Sequence, residues 1–132
     1  MADLEKSVRT RLLAHSGVSD LVGDKKRVYY SVLPADPKLP AITLQEITAT
    51  SIGAMGADAN MVRGRIQVDG WAVSRAKAKA LGEQIRDALQ RWRGTASGST
   101  LYFVGMNSGG VSYEREGRLW RHRQDFEVFF TE

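Results

Sequence analysis

The stretch MVRGRIQVDGWAV (Met61–Val73), running straight into SRAKAKALGEQIRDALQRW (Ser74–Trp92), decides the fold. In its first part Val62, Ile66, Val68 and Ala72 share one parity with Gly64 and Gly70, while Arg63, Arg65, Gln67 and Asp69 hold the other. Alternation sustained over this length predicts a long β-strand with one core face and one polar face. Such a strand belongs to an antiparallel sheet, because parallel strands are covered on both sides. After Ser74 the period changes. Ala78, Leu81, Ile85, Ala88, Leu89 and Trp92 recur at helical spacing, and Ser74 is a good N-cap. The spacing predicts a helix to about Trp92, ended by Gly94, with Leu81, Ile85 and Leu89 packed on Ile66 and Val68.

Upstream, Leu4, Val8, Leu12 and Leu13 make an apolar stripe from Asp3 to His15, with Asp3 as N-cap and Gly17 as stop. Val18 to Gly23 reads as a compact turn that tucks Leu21 and Val22 inward. A short strand is expected over Arg27–Leu33, then an extended connection set by Pro34, Pro37 and Pro40. In the next strand, Ala41–Thr48, Ile42 and Leu44 share a face and Ile47 falls out of phase, which one extra residue, a bulge, would repair. Thr50–Asn60 has neither period and reads as a long loop at the tip of a hairpin.

Downstream, Thr95–Thr100 reads as a polar loop. A strand over Leu101–Met106 continues through Val111–Glu114 past a weak spot at Asn107–Gly110. Arg115–Arg118 is a hairpin turn in which Gly117 supplies positive φ. In the last strand, Leu119–Phe130, Trp120, His122, Gln124, Phe126, Val128 and Phe130 point one way, and Arg121, Arg123, Asp125 and Glu127 the other. The order is α-β-β-β-α-β-β. It predicts a single α+β domain over residues 1–132, a mostly antiparallel sheet of about four to five strands with a main helix on one face and a short N-terminal helix.

Composition narrows the function classes. The chain has 132 residues, 42% hydrophobic, the amount one ordinary core needs. No run of about 18 apolar residues predicts a membrane span, and the start Met1-Ala2-Asp3-Leu4-Glu5-Lys6 lacks the shape of a signal peptide. Cysteine is absent, which excludes disulfides and thiolate chemistry and suits a cytosolic product. The net charge of +4 fits either a nucleic-acid partner or a basic protein interface. His15 and His122 sit apart in different contexts, so no metal pair is predicted. Glu46, Asp69, Glu114, Asp125 and Glu127 are scattered along strands; two could meet as an acid/base pair, or each could pair with an arginine opposite. Gly53 and Gly56 do not follow a strand and open a helix, so they make a poor phosphate loop. No catalytic residue, cofactor or metal is assigned.

Several segments together resemble the phage tail-completion, or tail-terminator, family. Arg65-Ile66-Gln67-Val68-Asp69-Gly70-Trp71-Ala72 followed by the Ala- and Lys-rich helix from Ser74 resembles its central strand and helix, with Ala78–Leu89 as the helical run. Leu21-Val22-Gly23-Asp24, Arg27-Val28-Tyr29 and Leu39-Pro40-Ala41-Ile42 resemble its opening, and Gly117–Phe126 its ending. The resemblance implies a non-enzymatic structural protein made in the host cytoplasm and placed at the head–tail junction of the virion. Such proteins form a ring, commonly a hexamer, at the head-proximal end of the tail tube. The ring stops tube polymerisation and offers a surface to head-completion or connector proteins. DNA passes through its lumen without sequence-specific binding.

The residues suggest where contacts lie. Ile52, Met55 and Met61, at and beside the loop, are candidates for a contact with the tail tube or a neighbouring subunit. Arg63, Arg65, Asp69, Arg121 and Arg123, on polar strand faces, are candidates for the subunit interface or the lumen. The alternative is a small basic nucleic-acid-binding module, since Arg121 and Arg123 lie beside Trp120 and His122. Against it, the aromatics at Trp120, Phe126 and Phe130 alternate out of phase with the arginines. An enzyme is the third reading.

Overall fold

A computed structural model describes residues 3–23, 26–52, 61–115 and 117–131. Asp3 accepts from the Lys6 N–H at 3.1 Å and opens helix α1, Leu4–Ala14, which buries Leu4, Val8 and Leu12. The chain turns at His15, whose backbone is extended, and enters a second helix, α2, Ser16–Val22. The expected compact turn is therefore a helix, too short to show a period of its own. Helix α1 ends at His15 and not at Gly17, which lies inside α2, and Gly23, at φ 75, ends α2.

Among the described residues six strands form one curled, mixed sheet, where about four to five were expected. They are β1 (Val28–Tyr30), β2 (Ala41–Ser51), β3 (Met61–Ala72), β4 (Arg93–Ala96), β5 (Ser99–Glu114) and β6 (Leu119–Thr131), in the spatial order β1-β2-β3-β6-β5-β4. β1 is shorter than expected and runs parallel to β2, Val28 opposite Ile42. Parallel neighbours need a crossover, and the extended proline segment between Tyr30 and Ala41 provides it. All other pairings are antiparallel.

β2 has the expected bulge, its register with β3 shifting between Glu46 and Thr48. Ile47 is the extra residue, yet it stays exposed at 45%, so the bulge does not return it to the core. β2 also runs on to Ser51, so Thr50 and Ser51 belong to the strand and not to the loop.

Helix α3, Arg75–Leu89, is capped by Ser74 and carries the expected stripe: Ala78, Leu81, Ile85, Ala88 and Leu89 are buried, and all of these but Ala78 share one cluster with Ile66 and Val68. It stops before Trp92. Arg91 takes φ 59, and the chain enters β4, so Gly94 sits in a strand instead of ending the helix. Ser97 (φ 48) and Gly98 (φ 81) make a two-residue hairpin turn with both central residues left-handed, in place of a polar loop. β5 is continuous across Asn107–Gly110, absorbing the weak spot as a register shift between Ser108 and Gly110, where Gly110 has φ 75. In the last turn it is Arg118, at φ 54, and not Gly117, that adopts the left-handed conformation.

Helices α1, α2 and α3 cover one face of the sheet. Phe103 and Phe126 meet edge-on at 6.0 Å in the centre of the core. Gln124, fully buried on β6, donates to the Gly82 carbonyl at 2.8 Å and so ties α3 to the sheet. Gly82 must be small, because a Cβ there would fall on the His122 ring.

Candidate assembly interface

The face away from the helices follows from register. β3 and β6 pair without a slip from Met61↔Thr131 to Ala72↔Trp120, so the polar parity of one strand faces the polar parity of the other. Asp69 lies opposite Arg123, Gln67 opposite Asp125, Arg65 opposite Glu127 and Trp71 opposite Arg121. All five of Arg63, Arg65, Asp69, Arg121 and Arg123 are thereby gathered on one face.

Carboxylates hold most of these arginines. Arg123 Nε donates to Asp69 Oδ1 at 3.2 Å, and Arg121 reaches Glu114 on β5 at 2.8 Å. Arg63 pairs diagonally with Glu127. Arg65, exposed, makes no ion pair among the described residues. So Asp69, Glu114 and Glu127 take the arginine-pairing option left open by the sequence. The exposed pairs contribute about 0–1 kcal/mol each. Their effect is to hold side chains in place and to neutralise the face.

Asp69 is the exception in environment. It is buried although it lies on the polar face, with Gln67 Nε2 also donating to it at 3.3 Å. Desolvation raises its pKa above the ordinary carboxylate value, outweighing the opposing pull of Arg123 and Arg121. Beside it, the Trp71 indole N–H donates to Thr43 Oγ1 at 3.0 Å, and the Arg121 guanidinium lies 5.6 Å from the Trp71 ring centre. Further along, Thr48, Thr50, Arg63, Arg65, Asn107 and Asp125 line a polar groove of about 660 Å³.

A second surface lies at the sheet end from which residues 53–60 depart. Ile52 N–H donates to the Met61 carbonyl at 2.9 Å, so the strands are still joined there. Ile52 and Met61 are exposed at 37% and 39%. Met55 lies outside the described residues. Met61 also borders an apolar cup of about 310 Å³ shared with Leu101, Tyr102, Phe129 and Phe130. Tyr102 and Phe129 were not singled out from sequence. They fall on outward positions of β5 and β6, and only pairing of Tyr102 with Phe129 brings them together beside Met61.

His122 packs against α3 at Gly82, and burial lowers its pKa more than Glu83 and Asp69 raise it. Among the described residues no cluster of three or more His, Asp or Glu side chains is disposed to hold a metal, and no helix is long and apolar enough to cross a membrane. Phe126 and Phe130 are buried in the core, on the face opposite the arginines. Trp71, Phe129 and the Tyr102 paired with it lie on the arginine face, where no aromatic was expected.

A chain in a virion of a native gene transfer agent particle has the same fold. It aligns with a TM-score of 0.70 over 98% of this chain and 95% of that one, at 19% identity. No curated protein matches in sequence. The family described as tail completion protein gp17 matches residues 6–131, nearly the whole domain including both strands of the charged face. The chain belongs to that tail completion protein family and is a structural component of a phage-type tail.

Proposed function

We propose that the chain forms a ring, of six copies, at the head-proximal end of the tail tube, where it ends tube polymerisation and offers the joining surface for the head. The observation that carries this reading is the tail-completion family match across residues 6–131. The surfaces fit it. A subunit of a closed ring needs two different lateral contacts and at least one axial contact. Among the described residues the exposed large apolar side chains other than Val73 fall into such groups: Tyr30, Val32 and Ile47 along the β1–β2 side, Val104 and Tyr113 along the β5 side, and Ile52, Met61 and Tyr102 at one end.

In this reading the end carrying Ile52 and Met61, with Met55 between them in the chain, meets the tail tube or the adjacent subunit. The arginine face lines the lumen or the subunit contact. Pairing of Arg63, Arg121 and Arg123 with carboxylates leaves Arg65, among the arginines named for this face, without an ion pair to a described residue, which suits DNA passing without sequence-specific binding. The ring acts by contact alone, without catalysis or cofactor, and a head-completion or connector protein takes its other end.

The test is to locate the chain in the particle. A small peptide tag on the C-terminus, detected by gold-labelled antibody in electron micrographs, should mark one spot at the head–tail junction. Label spread along the tube or at the tail tip would overturn the placement. Native mass spectrometry of the purified chain, alone and with tube protein, should find a closed oligomer in at least one of the two.

A further inference from the structure

The sheet has two long free edges. On one side, β1 covers β2 only as far as Leu44, the last contact being Ser31 N–H to the Leu44 carbonyl at 2.9 Å. Beyond it, Gln45–Ser51 has no strand outside it among the described residues. On the other side, β4 covers β5 only to Tyr102 and, through the Trp92 carbonyl, the Phe103 N–H. Beyond it, Val104–Glu114 has no strand outside it among the described residues. Free edges are normally blunted by lysine, proline or inward charge. Neither segment contains lysine, arginine or proline, and each has one charged residue: Glu46, and Glu114 already held by Arg121. Both edges are bulged, between Glu46 and Thr48 and between Phe103 and Gly105. The bulged residues are the apolar Ile47 and Val104, both exposed. Bulges bend strands and help a sheet curve toward closure.

Polarity fixes how the edges can meet. β2, β3, β6 and β5 alternate in direction, so β5 runs opposite to β2. Copies related by rotation about a ring axis keep their directions, and β5 of one copy then meets β2 of the next as an antiparallel pair. A two-fold dimer joins like edges and leaves the other pair of edges open. Only the head-to-tail junction uses both edges of every copy and also closes. One donor is spoken for, since the Glu46 N–H goes to Glu5 Oε2 at 3.1 Å, so pairing begins at Ile47.

We infer that residues 47–51 of β2 in one copy add antiparallel to the open edge of β5, residues 104–114, in its neighbour, so that the sheets of the ring run on as one. This rests on the ring reading above and names its junction. The absence of cysteine allows a clean test. Ile47→Cys and a small panel on β5, Val104→Cys, Met106→Cys and Ser108→Cys, are made singly and as pairs in one chain, then treated with a short bismaleimide. Paired variants should give a covalent ladder that stops at the ring size. Mixing two single variants should give dimers only, and a single variant alone should stay uncrosslinked. Self-crosslinking of Ile47→Cys alone would show a two-fold junction and overturn the inference. Rings seen by microscopy that yield no β2–β5 crosslink with any member of the panel would overturn it too, while leaving the ring itself standing. A chain that stays monomeric with and without tube protein would overturn both. Ile47→Lys and Val104→Lys should each give folded monomers, separating loss of the junction from loss of the fold.

Discussion

Replacing Ile85 by alanine removes three buried carbons from the contact between α3 and β3, where Ile85 is fully buried. Transfer alone accounts for about 2.4 kcal/mol at roughly 0.8 per carbon. The void should persist, because the wall facing it is strand backbone at Gly70, paired on both sides with Ile42 and His122. The expected loss is therefore about 3–5 kcal/mol. Gly70 gives the argument a second handle. A Cβ there would lie 3.1 Å from Leu81 Cδ2 and 3.3 Å from Ile85 Cδ1, tight enough that Gly70→Ala alone should overpack the site. The cost of such overpacking is about 1–3 kcal/mol. With Ile85 shortened, the new methyl enters the space left behind. The double variant should then be more stable than the two single losses predict, by about 1 kcal/mol or more. Urea unfolding by circular dichroism measures all three, at one low protein concentration so that assembly does not shift the midpoints. Additivity within about 0.5 kcal/mol would refute the proposed contact, and an Ile85→Ala loss below that size would mean the helix face is exposed.

Three further outcomes are expected. The His122 pKa is lowered on folding, so the unfolded chain binds that proton more readily; stability from this group is full above about pH 6.5 and is lost as pH falls toward the folded value. His122→Gln should flatten the fall in unfolding free energy between about pH 7 and pH 5, and an unchanged slope would contradict the burial argument. Asp69→Asn removes a buried carboxylate whose partner, Arg123, is 39% exposed and can turn to water, so the cost should stay near about 1 kcal/mol; a loss above about 3 would mean that Arg123 is trapped. Replacing residues 53–60 by a short Gly-Ser turn should leave a folded chain that no longer caps tails, and normal tails from that variant would remove this end of the sheet from the tube contact.

Much of the architecture was legible because burial on one face imposes a period. β3 alternates from Met61 to Val68 and β6 from Gln124 to Thr131, α3 carries an unbroken stripe, and the phase break at Ile47 marks a bulge. Elements without a period were not legible. β4 is four residues long with only Ala96 buried, and its real signal was the Ser97-Gly98 turn. α2 is a single short helix, and the parallel direction of β1 depends on the path of the proline segment more than on any residue in the strand. The arginines of the charged face could be named in advance, but not their partners. Which carboxylate meets which arginine depends on β3 lying beside β6, strands separated in sequence by a helix and two other strands.

The account's central claim is that this chain ends the tail tube and joins it to the head. The most direct measurement is the length distribution of tails, by electron microscopy, made by a phage or prophage lacking this chain and then supplied with it in purified form. The account predicts overlong, headless tails without the chain, and tails that stop growing and join heads once it is added. Tails of normal length already joined to heads in its absence would contradict it.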